Sequence, residues 1–499
     1  MLHLSIDKKI KQVLFGHLSK FWARDLICEL FIFLKILILI ITFIFIFITY
    51  GDLGTEIPLF TSLPNKINQL SIKTYIYIIP TLQFIVGVVS TIFVFKYLKI
   101  NLKNTARFIS FLTLISVFIL GLSAYQIIRV SSKNTYSFGN WFYDFFIPFL
   151  IAFIISTVFT KLTIKYAKKL KIIEYPSIRD EPQKVLTIPT PRGGAIGFFA
   201  GFAITSLIFL TGEQRIWGLV IGLFITTLTG YLDDRFKLSY LSRLLFFLPL
   251  SFVAVILSGF VMMYLPNPVG EAFKLDSLRI FINFFGEHSI VVYGALVSFL
   301  WFLWMSNMMS WNNGIDGQFV AISSVVLFVL ALLSLRYNNV SSEAVFSAKV
   351  AFIALGSVLA LLYFTFPPQK IIWGFGATGV GLLIGAIAIL SGTRVAAASI
   401  ALLIPSIDTI LVIVNRIRNK KVPFFGDRNH LHHKLLDIGL SRKKIAIFYW
   451  LVSILFGFVA FFSSEKYTFL ALLIFSGLVL YLIISIRLYA YKLVIKLKK

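Results

Sequence analysis

The chain has 499 residues, 58% of them hydrophobic and only 14% charged. An ordinary soluble domain carries roughly 25% charged residues, and the mean hydropathy here is +0.90, so a soluble enzyme, a disordered chain and a disulfide scaffold are all excluded. Net charge is +26, from 47 Lys+Arg against 21 Asp+Glu, and the one cysteine, Cys28, allows no internal disulfide.

In chain order, about fourteen apolar runs are long enough to cross a bilayer at roughly 20 residues each. Three come first, at 30–49, 75–95 and 108–128. Eleven follow, at 141–160, 193–211, 216–232, 243–264, 289–306, 318–335, 348–366, 371–390, 394–414, 445–463 and 467–486. The first run is followed by many more and by no small-residue cleavage site, which argues against a signal peptide. Runs such as IFLKILILIITFIFIFI show no period-2 alternation, so helices are expected and a barrel is not. The expected fold class is all-α, a polytopic membrane protein with three N-terminal helices and an eleven-helix bundle. A polar break, SSKNTYSFGN at 131–140, divides an appended module (1–140) from a working unit (141–499) that holds every polar motif.

With both termini in the cytoplasm, alternating spans put most of the Lys and Arg on the cytoplasmic side. The segment before the first span, KYLKINLKNTAR, the stretch 161–192, DDRFK, the stretch 415–444 and the KLKK tail all fall there. The positive-inside rule thus accounts for the charge without a nucleic-acid partner.

Four polar stretches fall on that same side, where polar groups at a bundle mouth read as functional. The first, EYPSIRDEPQKVLTIPTPRGGAIGFF (174–199), ends in a glycine pair, and Arg192 is suited to phosphate. The second, GYLDDRFKLS, holds Asp233 and Asp234. Paired carboxylates suit Mg²⁺, a hard ion that takes oxygen ligands, but neighbours on a helix diverge by about 100°, so one of the two is expected to face any shared site. The third, SNMMSWNNGIDGQ (306–318), reads as a hydrophilic break with Asn312, Asn313 and Asp316. The fourth runs from 394 to 444. Asp408 lies inside an apolar span, where a lone carboxylate is costly. It needs a metal, a substrate cation or a nearby arginine, and Pro405 can open the helix beside it. The loop after it, FFGDRNHLHHKLLDIGLS, places Arg428, His430, His432 and His433 together, and three of the chain's six histidines lie here. Imidazoles with an arginine suit phosphate binding and proton transfer, and zinc is disfavoured because no cysteine is near. Gly374, Gly376 and Gly379 match G-x-G-x-x-G, but no strand precedes them. With Gly381 and Gly385 they read as small-residue helix packing. From the residues alone, the chemistry is phosphoryl transfer at a membrane.

The combination and order of PRGG, Asp233-Asp234, NGIDG, the P-x-x-D of Pro405 to Asp408, and DRNHLHH resemble the polyprenyl-phosphate N-acetylhexosamine-1-phosphate transferase family (glycosyltransferase family 4), in its GlcNAc-1-phosphate transferase branch. The resemblance implies an enzyme that moves a sugar-1-phosphate from a UDP-sugar to undecaprenyl or another polyprenyl phosphate, releases UMP, and starts a lipid-linked cell-envelope glycan at the cytoplasmic face of a bacterial-type plasma membrane. It implies Mg²⁺ or Mn²⁺ as cofactor, Asp408 and Asp316 as metal ligands, and catalytic roles for Asp233, Asp234 and Asp316. Arg192, Asn312, Asn313, Arg428, His430, His432 and His433 become substrate-binding residues. A homodimer is compatible with it. Against the family's N-x-x-D-G-x-D-G, Ser310 and Asn313 stand where Asn and Asp are usual, and Glu174 stands where Asp is usual. The competing classes are a transporter or lipid flippase and an inactive relative acting as a scaffold.

Overall fold

The computed structural model of the chain describes residues 25–50, 53–58, 70–100, 102–131, 141–176, 188–265, 273–283, 287–315, 317–335, 342–390, 392–422, 428–463 and 465–498. It divides into two compact units, Met1–Trp141 and Phe142–Lys499. Each of the fourteen apolar runs overlaps a helix or a helix pair, although in 243–264 and 371–390 the helix covers only part of the run. Among the described residues, nine helices are long and apolar enough to cross a membrane, and one bent pair adds a tenth. The chain is therefore a helical, multi-pass membrane protein, and the full count of fourteen spans is not reached by length alone.

The first unit packs α1 (Leu26–Thr49), α2 (Lys73–Lys99) and α3 (Lys103–Ser131), with a short hairpin of β1 (Glu56–Pro58) and β2 (Leu70–Ile72) between the first two. Polar contacts cross its apolar core. Asp25 caps α1 and accepts from the Arg107 guanidinium at 2.9–3.2 Å. The buried Lys35 donates to Ser90 Oγ at 2.9 Å and Thr113 Oγ1 at 3.2 Å. Gln83 Nε2 donates to Thr42 Oγ1 and to the Val117 carbonyl. A polar group in an apolar bundle is satisfied best by another helix, so these contacts tie the three helices together.

In the second unit, α4 (Phe142–Leu170), α5 (Gly194–Phe209), α6 (Arg215–Phe236) and α7 (Tyr240–Leu257) precede two hairpins and α8 (Val292–Trp311). Then come α9 (Gln318–Ser334), α10 (Ser342–Thr365) and α11 (Ala377–Ile389). Three apolar runs form helices too short to span: α5, α9 and α11 have 16, 17 and 13 residues. The reason is enclosure. Every residue of α11 is buried, and a helix that is apolar all round belongs to the interior of a bundle rather than to its lipid face. Small residues make the close approaches. A Cβ on Gly376 would meet Ala195, one on Gly379 would meet Thr226, and one on Gly381 would meet the backbone of Met305 and Ser306. The glycine series at 374–385 is thus helix packing, with Gly374 the exception described below.

Two expectations are corrected. The hydrophilic break expected at 306–318 is shorter, because α8 runs on to Trp311 and leaves only 312–317 outside helices. The run at 394–414 is not one straight helix. It is α12 (Gly392–Ala401) and α13 (Leu403–Arg418), with a 78° bend between them. Pro405 lies in the first turn of α13, where a missing N–H costs no helical hydrogen bond. Asp408 therefore sits in regular helix, one turn beyond the break.

The chain ends with α14 (Leu431–Asp437), α15 (Arg442–Phe462) and α16 (Glu465–Lys498).

Candidate active site

The first cluster forms where the end of α6 meets the start of α5. Strand β3 (Ile173–Glu174) pairs antiparallel with β4 (Thr190–Pro191), matching Glu174 with Thr190. That register carries Arg192 to Glu174, and Nη1 donates to Oε2 at 2.5 Å. The Arg192 N–H donates to Ile172 O at 2.7 Å, and the Ile372 N–H donates to Pro191 O at 2.8 Å. Gly193 turns the chain into α5 at φ 97°, a conformation that favours glycine. The Gly194 N–H then donates to Ile372 O at 2.9 Å. The chain around 372 is thereby pinned beside the PRGG turn. The middle of the first loop, 177–187, lies outside the described residues.

Asp233 and Asp234 point apart, as neighbours on a helix must. Asp234 faces Arg192, with Nε 2.6 Å from Oδ1. Asp233 accepts from Arg243 Nη1 at 2.8 Å, and the Arg243 guanidinium stacks 4.7 Å over the Phe375 ring. Gly374, at φ 69°, leaves the space that the Asp234 carboxylate fills, and a Cβ there would overlap that carboxylate.

The second cluster surrounds Asp408, which is 0% exposed. His430 Nδ1 lies 2.8 Å from Oδ2, and Oδ1 accepts from the Leu431 N–H at 2.9 Å and from Arg487 Nη2 at 2.9 Å. The costly carboxylate is thus compensated by an arginine of α16 and by the entry turn of α14. Expected as a metal ligand, Asp408 here anchors the histidine loop. His432 and His433 are buried too, with ring centroids 4.3 Å apart, and the His432 ring stacks 5.5 Å from that of His430. Burial, with further repulsion from the neighbouring histidines, holds His432 well below the usual imidazole range. Burial and the Arg428 charge push His433 down to about 4. Both rings are therefore neutral near pH 7, and the Nδ1 atom of each has no hydrogen-bond partner.

The NNGIDG stretch meets this cluster through Gly314, where a Cβ would overlap His432 Nε2. Asn312 is fully buried, and its Nδ2 donates to Met308 O at 2.9 Å and reaches Thr409 Oγ1 at 3.3 Å. It joins the end of α8 to α13, while its Oδ1 has no partner. Asn313 is half-buried. Arg428 Nη2 donates to Asp437 at 3.1 Å. Asp316 and Asp427 lie outside the described residues. The clusters share one packing element. The Phe319 ring lies 4.7 Å from that of Trp373, and the Trp373 backbone abuts Gly194.

Arg243 and Arg487 were not singled out from the sequence. Arg487 offered a signal, being an arginine directly after the apolar run 467–486. Arg243 offered little beyond standing ten residues past Asp233.

The donor set fits a divalent cation poorly. Mg²⁺ takes about six oxygen ligands, one or two of them carboxylates and the rest waters or substrate phosphates, so it needs carboxylate oxygens that are open to it. Among the described residues, no three His, Cys, Asp or Glu side chains come together in a way that could hold a metal. Glu174, Asp233, Asp234 and Asp408 are each engaged by an arginine.

The bundle is that of a polytopic membrane protein, and residues 216–392, from α6 through α11, match the family described as Glycosyl transferase family 4. The similar proteins are more particular. The chain is 25% identical over 336 residues to a probable undecaprenyl-phosphate N-acetylglucosaminyl 1-phosphate transferase of Bacillus subtilis (strain 168), covering 65% of this chain and 86% of that protein. It is 26% identical over 328 residues to a decaprenyl-phosphate N-acetylglucosaminephosphotransferase of Mycobacterium leprae, covering 58% and 77%. It is also 26% identical over 320 residues to a phospho-N-acetylmuramoyl-pentapeptide-transferase of Caldanaerobacter subterraneus, covering 60% and 92%. The resemblance carried by the motifs is thus shown by independent comparison.

Proposed function

We propose that the chain transfers an N-acetylhexosamine-1-phosphate from a UDP-sugar to polyprenyl phosphate. An oxygen of the lipid phosphate attacks the sugar-linked phosphorus, the bond to the bridging oxygen breaks, and UMP leaves with that oxygen. The observation that carries this reading is the Arg192–Asp234 and Asp233–Arg243 constellation at the end of α6, of which Asp233, Asp234 and Arg243 lie within a stretch matching a glycosyl transferase family. The names of the similar proteins support the reaction and the acceptor.

In this reading, Arg192 and Arg243 neutralise phosphate charge and orient the donor, a contribution of positioning and electrostatics that suits phosphoryl transfer. Asp233 and Asp234 hold the guanidiniums in place and keep the lipid phosphate at a set distance. The neutral His432 and His433 donate or accept hydrogen bonds toward donor phosphates or uridine. The working face is the cytoplasmic one, supported by the basic loops around the motifs.

The test uses the purified full-length protein in detergent with undecaprenyl phosphate and a panel of UDP-sugars. UMP release and the lipid-linked product are followed by mass spectrometry. Release with one sugar, lost in Asp233→Asn, is expected. Donor binding without turnover for every sugar would favour a scaffold, and substrate movement in sealed vesicles without UMP would favour a transporter.

A further inference from the structure

We infer that the α6 cluster takes the donor diphosphate on Arg192 and Arg243 themselves, with no divalent cation bridging carboxylate and phosphate. This rests on the UDP-sugar reading above and departs from the expectation of Mg²⁺ or Mn²⁺ as cofactor.

Accessibility carries the argument. The Glu174, Asp234 and Asp233 side chains are 13%, 2% and 11% exposed, whereas Arg192 and Arg243 are 26% and 25% exposed. A cation arriving from solution meets guanidinium first and finds the carboxylate oxygens covered. An anion meets the groups that bind it. Each guanidinium carries five N–H donors. Glu174 and Asp234 engage Nη1 and Nε of Arg192, and Asp233 engages Nη1 of Arg243. Donors therefore remain for the paired, planar hydrogen bonding that arginine makes with phosphate. The Phe375 ring, 4.7 Å from the Arg243 guanidinium, makes a cation–π contact that uses none of its N–H groups.

Among the described residues, the other candidate ligands point the same way. Asn313 offers a neutral amide where a carboxylate would bring charge. Asp408 spends its oxygens on three donors and is closed to solvent.

Two measurements on the full-length protein in detergent test this. Mn²⁺ is titrated and the free ion counted by electron paramagnetic resonance. No saturable site that is lost in Asp233→Asn is expected up to millimolar Mn²⁺, and one stoichiometric site lost in that variant would overturn the inference. UDP-GlcNAc binding is measured by equilibrium dialysis in EDTA and in Mg²⁺. Affinity is expected to agree within about twofold between the buffers and to fall by about tenfold or more in Arg243→Gln. Loss of binding in EDTA would overturn the inference. Because Arg192→Gln alone leaves Asp234 buried and unpaired, the paired variant R192Q/D234N removes both charges and is expected to weaken binding while folding normally. If UDP-GlcNAc binds in neither buffer, the donor reading fails. Inorganic pyrophosphate in EDTA then decides the inference: retention that depends on Arg243 upholds it, and no retention overturns it.

Discussion

The Asp408 carboxylate accepts a hydrogen bond from Arg487 Nη2 at 2.9 Å, joining α13 to α16 across 79 positions of sequence with no solvent at the carboxylate. Removing one charge of such a pair strands the other, at about 3–5 kcal/mol. Asp408→Asn and Arg487→Gln are each expected to lower the unfolding temperature in detergent by an amount of that order, and the double variant by clearly less than the sum. A double-mutant cycle on thermal unfolding checks this. Additive losses would show that the pair is not coupled.

Gly374 lies at φ 69°, and its missing side chain is the space occupied by the Asp234 carboxylate. Gly374→Ala adds both backbone strain and an overlap with that carboxylate. Stability should fall by about 1–3 kcal/mol, and UMP release should fall further than stability because Asp234 and Arg192 move together. Comparing turnover with unfolding temperature separates the two effects.

Gly314 presses against His432 Nε2 without a positive φ, so alanine there perturbs the imidazole rather than the backbone. Gly314→Ala is expected to displace the buried imidazole, lowering stability by about 1–3 kcal/mol, and to raise the donor KM by about tenfold, the size of one displaced hydrogen-bonding group. An unchanged KM would remove His432 from the donor site.

His433 titrates near 4 in the folded protein, against 6.5 for an ordinary imidazole. A pKa lowered by folding means that the unfolded chain takes up the proton first, so stability is fully present above about pH 6.5 and is lost as pH falls toward 4. His432, also held well below the usual imidazole range by burial, adds to the same trend. The unfolding temperature should be flat from pH 7 to 8 and fall steadily below 6.5. His433→Gln should flatten part of that slope. A wild-type profile level down to pH 4.5 would contradict the buried neutral rings.

Much of the architecture was legible because lipid imposes a strong rule. Backbone groups must be satisfied inside the helix, so an apolar run such as 445–463 announces α15. The rule weakens where helices are surrounded by protein. At 371–390 the run contains the 13-residue α11, because a helix packed against other helices has no bilayer thickness to match. The divergence of Asp233 from Asp234 also followed from helical geometry, and the two carboxylates do take different arginines.

Composition and order alone determined that this is a helical membrane protein, that its polar groups cluster in four stretches, and that those stretches resemble a sugar-1-phosphate transferase. Periodicity and burial cost are local properties, readable one segment at a time. Which arginine answers which carboxylate was decided only by tertiary structure. Arg487 reaches Asp408, and Arg192 reaches Asp234, because packed helices bring distant residues within 3 Å. Whether a carboxylate faces solvent, a metal or a guanidinium depends on that packing, and no spacing along the chain encodes it.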